Sequence, residues 1–435
     1  MPEIAEKQVT AAYLRRAGSA GPWRVAGHVT GRCAGAVVIP ALAELANLEQ
    51  TLQSLAANPP ELLAQFLVLV VVNQRADAST TEKADNQATL AALPIWRQQY
   101  GFDHLHWVDA ASPGLELPAR QGVGLARKIG LDLALPHLDY IATDPLLVCL
   151  DADTLVQPDY LAAVTRHFAA AVCGGASIPY CHRPAVDPAG QAAIDRYELF
   201  LRTYVLGLEL AGSPYAFHTV GSAMACRVSA YVAAGGMNRR LAGEDFYFLQ
   251  QVHKTAGVTP MTGTVVHPSP RASHRVPFGT GRAVGEMLSA GAGKLLFYQP
   301  ELFVLLGNWL QMVARAGESG GTDLLGAAGD ISPHLQTFLT TAGFAATWDN
   351  LKRHNPGAGR RMAAFHGWFD AFRTMRLLHH LTDAAYPRIP PEQAVAPLLV
   401  QAGHDCPPVI ADQLALLRRM QGADAITSTG RMVAS

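Results

Sequence analysis

The chain lacks the marks of secreted, membrane-spanning and nucleic-acid-binding proteins. Its cysteines, Cys33, Cys149, Cys173, Cys181, Cys226 and Cys406, form no Cys-x-x-Cys pair and sit mostly in apolar runs. Buried thiols in a reducing compartment are therefore expected, not disulfides or zinc ligands. Neither charge is in excess: the formal net charge is −1 and charged residues make up 16%. That leaves no electrostatic footprint for a polyanion, so nucleic acid is excluded as the expected partner. No uninterrupted apolar run reaches the ~18–20 residues of a membrane helix. The nearest, Leu295 to Val313, is broken by Pro300, Glu301 and Asn308. It reads as a buried or amphipathic helix, which leaves peripheral contact as its membrane option. The N-terminus has no basic start, apolar run and cleavage site of a signal peptide, so a cytoplasmic location is expected. Internal repeats and low-complexity tracts are absent as well.

What is present is a 435-residue chain with 49% hydrophobic residues, enough for ~2–3 domains and a sizeable core. Strands and helices alternate in its first part. Ala36 to Pro40 and Phe66 to Val72 are apolar, β-branched runs that read as buried strands, with a helix between them carrying Leu45, Leu48, Leu52 and Leu55 on one face. Ala76 to Asn86 reads as a polar loop near a site, Ala88 to Tyr100 as a helix and Leu105 to Val108 as a short strand. A helix entered through Gly122 and Gly124 follows. This alternation implies a mainly parallel sheet with right-handed crossovers. The Gly-x-Gly lacks the third glycine of a dinucleotide fingerprint and does not directly follow a strong strand, which excludes an ordinary NAD site.

Leu146 to Leu150 is a further buried strand, and it delivers Asp151 and Asp153 to the carboxyl edge of the sheet, where open α/β folds place ligands. Two carboxylates one residue apart raise each other's pKa unless a cation joins them. Such an oxygen pair suits Mg²⁺ or Mn²⁺, which can in turn hold a diphosphate. Residues 194–210 and 246–255 read as helices, and Glu244 and Asp245 lie at the positive end of the latter. Val265 to Gly281 reads as a loop rich in Pro, His and Arg. Beyond Arg282 the chain reads as mostly helical, with Phe365, Trp368, Phe369, Phe372, Met375 and Leu378 forming one apolar stripe, and the last dozen residues as disordered.

Together these features resemble the inverting family 2 glycosyltransferases. Four blocks match in order over roughly residues 35–285: Ile39 to Leu52, Leu125 to Gly130, Leu150 to Asp153, and Gly221 through Gly235-Gly236 to Gly243-Glu244-Asp245. The resemblance implies a GT-A fold, a mixed and mainly parallel α/β sheet flanked by helices, over 35–285. An N-terminal helix and linker (1–34) would precede it, and a helical C-terminal region (286–435) would cover the acceptor side or mediate oligomerisation.

By the same resemblance, a UDP- or GDP-linked sugar is the donor, bound by Pro40, Glu44, Asn73, Arg127, Lys128 and Asp151. The acceptor would be a sugar, a lipid-linked sugar or a small molecule. Asp151, Asp153 and His274 would hold the divalent cation, with His267 as the alternative histidine. Arg271, Arg275 or Arg282 could grip phosphate in a bidentate way. Asp245 would take the acceptor's proton, with Glu244 sharing or orienting that role. Three positions depart from the family pattern: Ala43 stands where Asn is usual, Lys128 replaces the Asn after Arg127, and Asn73-Gln74-Arg75 replaces the acidic end of the second strand. The alternative reading is a non-catalytic nucleotide-sugar or carbohydrate-binding relative. A nucleotidyltransferase ranks low, because Pro40 to Leu48 has neither glycine nor a basic residue to cradle a triphosphate.

Overall fold

The computed structural model describes residues 2–19, 21–141, 144–273, 279–290 and 295–423. His274, Arg275 and the last dozen residues lie outside that set. The chain divides into two compact units. One holds residues 1–186, 219–285 and 418–435, the other 187–218 and 286–417. Unlike a single cut at residue 285, this division groups 187–218 with the helical unit.

The first unit is a mixed α/β body. Its strands are β1 (Gly35–Ala41), β2 (Phe66–Asn73), β3 (Leu105–Ala110), β4 (Leu146–Cys149), β5 (Leu155–Val156), β6 (Gly175–Ser177), β7 (Met224–Arg227), β8 (Val258–Pro260) and β9 (Val266–His267). A seven-stranded sheet runs in the order β3-β2-β1-β4-β7-β6-β8. β1 to β4 are parallel, with Gly35 opposite both Phe66 and Leu146, and β7 enters antiparallel to β4. Every residue of β1 and β2 is buried. That explains their continuous apolar, β-branched composition, because a central parallel strand is covered on both faces. The small β5–β9 ladder pairs Leu155 with His267, which pins the chain after Asp153 to the start of the Pro- and His-rich loop.

Helices α1 (Pro2–Ala17), α2 (Leu45–Ala56), α3 (Pro60–Leu63), α4 (Thr80–Gln99), α5 (Val123–Ala134) and α6 (Tyr160–Ala170) belong to this unit, with α7 (Pro188–Leu210) in the other. α8 (Val228–Ala233) and α9 (Glu244–Ala256) return to the first. α4 starts earlier than its sequence suggested. Ser79 Oγ accepts the Glu82 N–H at 3.2 Å and Glu82 Oε2 accepts the Ser79 N–H at 2.8 Å, a capping box that makes the polar stretch from Thr80 to Asn86 helical.

The helices that follow are α10 (Thr280–Ala290), α11 (Pro300–Ala314), α12 (Gly321–Ile331), α13 (Pro333–Thr341), α14 (Phe344–His354), α15 (Ala358–Trp368), α16 (Ala371–Ala384), α17 (Pro391–Gln401) and α18 (Ile410–Met420). In the helical unit, fully buried Trp309 meets Phe344, Phe365 and Phe369 edge-on, with ring centroids 4.9, 6.0 and 6.2 Å away. The apolar stripe is divided between α15 and α16, because Asp370 accepts the Arg373 N–H at 2.9 Å and caps a new helix. Among the described residues, no helix is long and apolar enough to cross a membrane.

Candidate active site

The order of the sheet fixes where a ligand can enter. From β1 the chain moves outward to β2 and β3, then returns to β4 on the other side of β1. The β1–β4 seam is therefore a topological switch point, and the crevice beyond its carboxyl end is where open α/β sheets bind ligands. Its last main-chain bond is donated by the Leu150 N–H to the Val38 carbonyl at 3.1 Å. Backbone groups alternate in direction along a strand, so the next residue of β1 to face β4 is Pro40, which has no N–H to donate. Pairing stops there and the crevice opens. Glu44 follows β1 on one side, and Asp151 and Asp153 follow β4 on the other.

Arg127 on α5 gathers the site from behind. Its Nη2 donates to Asp151 Oδ1 at 2.5 Å, Nε to Glu244 Oε1 at 3.1 Å and Nη1 to the Gly221 carbonyl at 3.0 Å. Two of the other three sequence blocks thus converge on the guanidinium that this block supplies. Gly221 is required for this approach, since a Cβ there would overlap Arg127 Nη2. With only 3% of its side chain exposed and its donors engaged, Arg127 braces acidic groups and offers little surface to a ligand.

A second arginine closes the front. Arg271 pairs with Asp153 Oδ2 through Nη2 at 2.9 Å and Nε at 3.1 Å, and its Nη2 also contacts Glu44 Oε1. It therefore spans the crevice from the β1 side to the β4 side. Glu44 Oε2 accepts Asn47 Nδ2 at 2.8 Å. Arg183, which nothing in the sequence singled out, donates to the Asp153 carbonyl at 3.1 Å.

Glu244 and Asp245 open α9, preceded by Gly243 in the left-handed region at φ 69°. Asn238 Nδ2 holds the Glu244 carbonyl at 2.7 Å, and Asp245 Oδ1 accepts the Phe246 N–H at 2.7 Å. Glu244 is buried and Asp245 is less so. Burial pushes Glu244 up to about 7, against the pull of Arg127 and with the push of Asp245. Burial likewise raises Asp245, again opposed by Arg127. Burial, against the pull of Arg127 and with the push of Asp153, raises Asp151 to about 6. The Arg127 guanidinium is itself held in its charged form: burial disfavours that form, but Asp151 and Glu244 outweigh it.

Other residues expected here lie in different surroundings. Lys128 turns to Tyr13 and Asp132, at 2.7 and 3.1 Å, and does not join the acidic cluster. Asn73 ends β2 with Nδ2 donating to the Ala41 and Val71 carbonyls, each at 3.1 Å, which orients its amide and leaves Oδ1 as an acceptor. Gln74 is tied to Ala111 and Asn86. Ala43 sits at φ 51°, a region that Asn tolerates better than Ala. Here the Asn86 side chain accepts its N–H at 2.8 Å. His267 Nδ1 donates to the Cys181 carbonyl at 3.1 Å. His274 lies outside the described residues.

Five carboxylates (Glu44, Asp151, Asp153, Glu244 and Asp245) thus face three guanidiniums (Arg127, Arg183 and Arg271) among the described residues. No group of three or more His, Cys, Asp or Glu among those residues is arranged to hold a metal ion. Asp151 Oδ2 and Asp153 Oδ1 nevertheless have no hydrogen bond among them. Two hard oxygens beside an excess of negative charge fit a cation that brings water and phosphate ligands with it. They do not make an all-protein cage.

No family model matches the sequence, and no curated protein does. Solved structures similar to this chain include the mannosyltransferase PcManGT from Pyrobaculum calidifontis in complex with GDP-Man and Mn²⁺. It has 16% identity and a TM-score of 0.37, over 97% of this chain and 94% of that one. TarS 1-349 from S. aureus in complex with UDP-GlcNAc has 12% identity and a TM-score of 0.37, over 78% and 91%. Glucosyl-3-phosphoglycerate synthase from Mycobacterium tuberculosis in complex with UDP has 18% identity and a TM-score of 0.34, over 63% and 87%.

Proposed function

We propose that this protein is a glycosyltransferase that moves a sugar from a nucleoside-diphosphate donor to an acceptor hydroxyl, with inversion at the anomeric carbon. The observation that carries this reading is the Arg127 clasp. It holds an acid at the donor edge of the switch-point crevice, Asp151, and an acid at the head of α9, Glu244, in one rigid frame. The four family-like blocks of sequence support it independently.

In this reading the donor's diphosphate lies over the ends of β1 and β4, with Arg271 as its phosphate ligand. A divalent cation would be held by Asp151 and Asp153 together with the diphosphate, offsetting charge on the leaving group. Asn73 Oδ1, fixed as an acceptor, meets an N–H of the base. The acceptor oxygen bonds to the anomeric carbon from the face opposite the diphosphate. The bond from that carbon to the diphosphate oxygen breaks, and its electron pair leaves with the nucleotide. Asp245, the less buried of its pair, receives the acceptor's proton, and a carboxylate with a raised pKa is the better base near neutral pH. Glu244, bound to Arg127, orients its neighbour.

Titration calorimetry of UDP- and GDP-sugars in the presence of Mn²⁺ tests the reading, and heat from none of them overturns it. Asp245→Asn separates catalysis from mere binding. Donor affinity is expected to stay within threefold while sugar transfer, or hydrolysis to water, falls at least a hundredfold. Equal turnover by both proteins removes Asp245 from the role of base.

A further inference from the structure

The N-terminal helix lies outside the sequence blocks that resemble glycosyltransferases, yet it reaches the back of the site. Tyr13 of α1 is 2% exposed. Its hydroxyl accepts from Lys128 Nζ at 2.7 Å and donates to Asp132 Oδ1 at 2.9 Å. Tyr231 of α8 donates to the same carboxylate oxygen at 2.7 Å, and the Ser19 N–H takes Asp132 Oδ2 at 2.7 Å. A buried carboxylate is thereby satisfied from α1, α5 and α8 together. This is a closed polar network, in which every member depends on the others.

Two contacts connect the network to the chemistry. Lys128 and Asp132 share α5 with Arg127, so anchoring them fixes the helix that carries the clasp. Gly236, at φ 80°, passes so close to the Tyr13 hydroxyl that a Cβ there would overlap it. From Gly236 the chain runs through Asn238, which holds the Glu244 carbonyl, to Glu244 and Asp245. The other side of this segment rests on the first turn of α5. A Cβ at Gly124 would lie 2.5 Å from the Arg240 carbonyl and 2.9 Å from that of Asn238. The segment is held between Tyr13 and α5.

We infer that Tyr13 is a positioning residue for the reaction: through Lys128, Asp132 and Gly236 it fixes α5 and the 236–243 segment, and so sets Arg127 and Glu244-Asp245 in register. α1 is then part of the working site. For its activity arm the inference rests on the transferase reading, but its structural arm does not.

The test compares amide hydrogen exchange in the full-length wild type, in Tyr13→Phe, and in Val70→Ala, a core control in β2. Tyr13→Phe is expected to speed exchange at 235–245 at least tenfold, with β2 unchanged and with no such change in the control. Unchanged exchange at 235–245, or the same change in the control, overturns the inference. A second measurement needs no variant: in the wild type under increasing urea, α1 and 235–245 are expected to lose protection together, and independent opening counts against it. With UDP-glucose, GDP-mannose and Mn²⁺, Tyr13→Phe should lower kcat for hydrolysis at least fivefold while the Kd for UDP stays within twofold. Equal kcat overturns the inference. If the wild type turns over neither donor, the transferase reading fails, and exchange alone decides the role of Tyr13.

Discussion

Glu244 makes the stability of the protein depend on pH in a way that one substitution should erase. Its side chain is 5% exposed, and burial, only partly offset by Arg127, lifts its pKa from 4.5 to about 7. The native protein therefore binds this proton more tightly than the unfolded chain does. Between those two values the native state holds more protons, so stability falls as pH rises and the loss is complete above the folded pKa. At 1.36 kcal/mol per pKa unit, the displacement corresponds to about 3 kcal/mol, most of it between pH 5 and pH 8. Glu244→Gln keeps the shape and has no proton to bind. Urea unfolding of both proteins across that range is the assay. With a slope of about 2 kcal/mol/M, the wild-type midpoint should fall by roughly 1 M relative to the variant on going from pH 5 to pH 8. Parallel curves would refute the reasoning, because they would mean that Glu244 titrates alike in both states.

Arg127→Met should cost about 3–5 kcal/mol at pH 8, because it leaves Glu244 buried beside no cation; a loss below 1 kcal/mol in urea unfolding would show that the clasp is not structural. Gly221→Ala should push the guanidinium off the Gly221 carbonyl and reduce turnover of UDP- or GDP-sugars more than tenfold, with far-ultraviolet circular dichroism unchanged. Turnover equal to wild type would count against the arrangement. Ala43→Gly should stabilise the protein by about 1 kcal/mol by relieving a left-handed alanine, and an unchanged urea midpoint would show that Asn86 already offsets that strain.

Much of the sheet was legible because buried parallel strands record themselves as apolar runs, and β1, β2 and β4 all do so. The crevice could be anticipated too, since an Asp-x-Asp after a buried strand lies at a carboxyl edge. Side-chain direction was not. Arg127 reads as a ligand of the nucleotide-sugar donor, yet in the fold it turns inward to two acids and a carbonyl. Lys128, its neighbour, points to Tyr13 and Asp132 because consecutive residues on a helix face different ways. The pairings of Arg271 with Glu44 and Asp153 leave no local pattern at all. α4 is a different kind of failure: Ser79 and Glu82 carry a capping signal, but surrounding polar residues suggested a loop. Asp370 likewise ends one helix and caps another inside an unbroken apolar stripe.

The reach of Arg271 across the crevice has a consequence for the nascent chain. Glu44 and Arg271 are 227 residues apart in sequence. At about 5–20 residues per second, roughly 10–45 s of synthesis separate them. β1, β2 and β4 can pair well before that, so an early sheet carries Glu44 and Asp153 with no cation between them. A ribosome-bound chain stalled after α6 should therefore show a formed β1–β4 sheet whose acidic edge still repels itself. The site becomes electrically complete only when the segment beyond β9 has emerged.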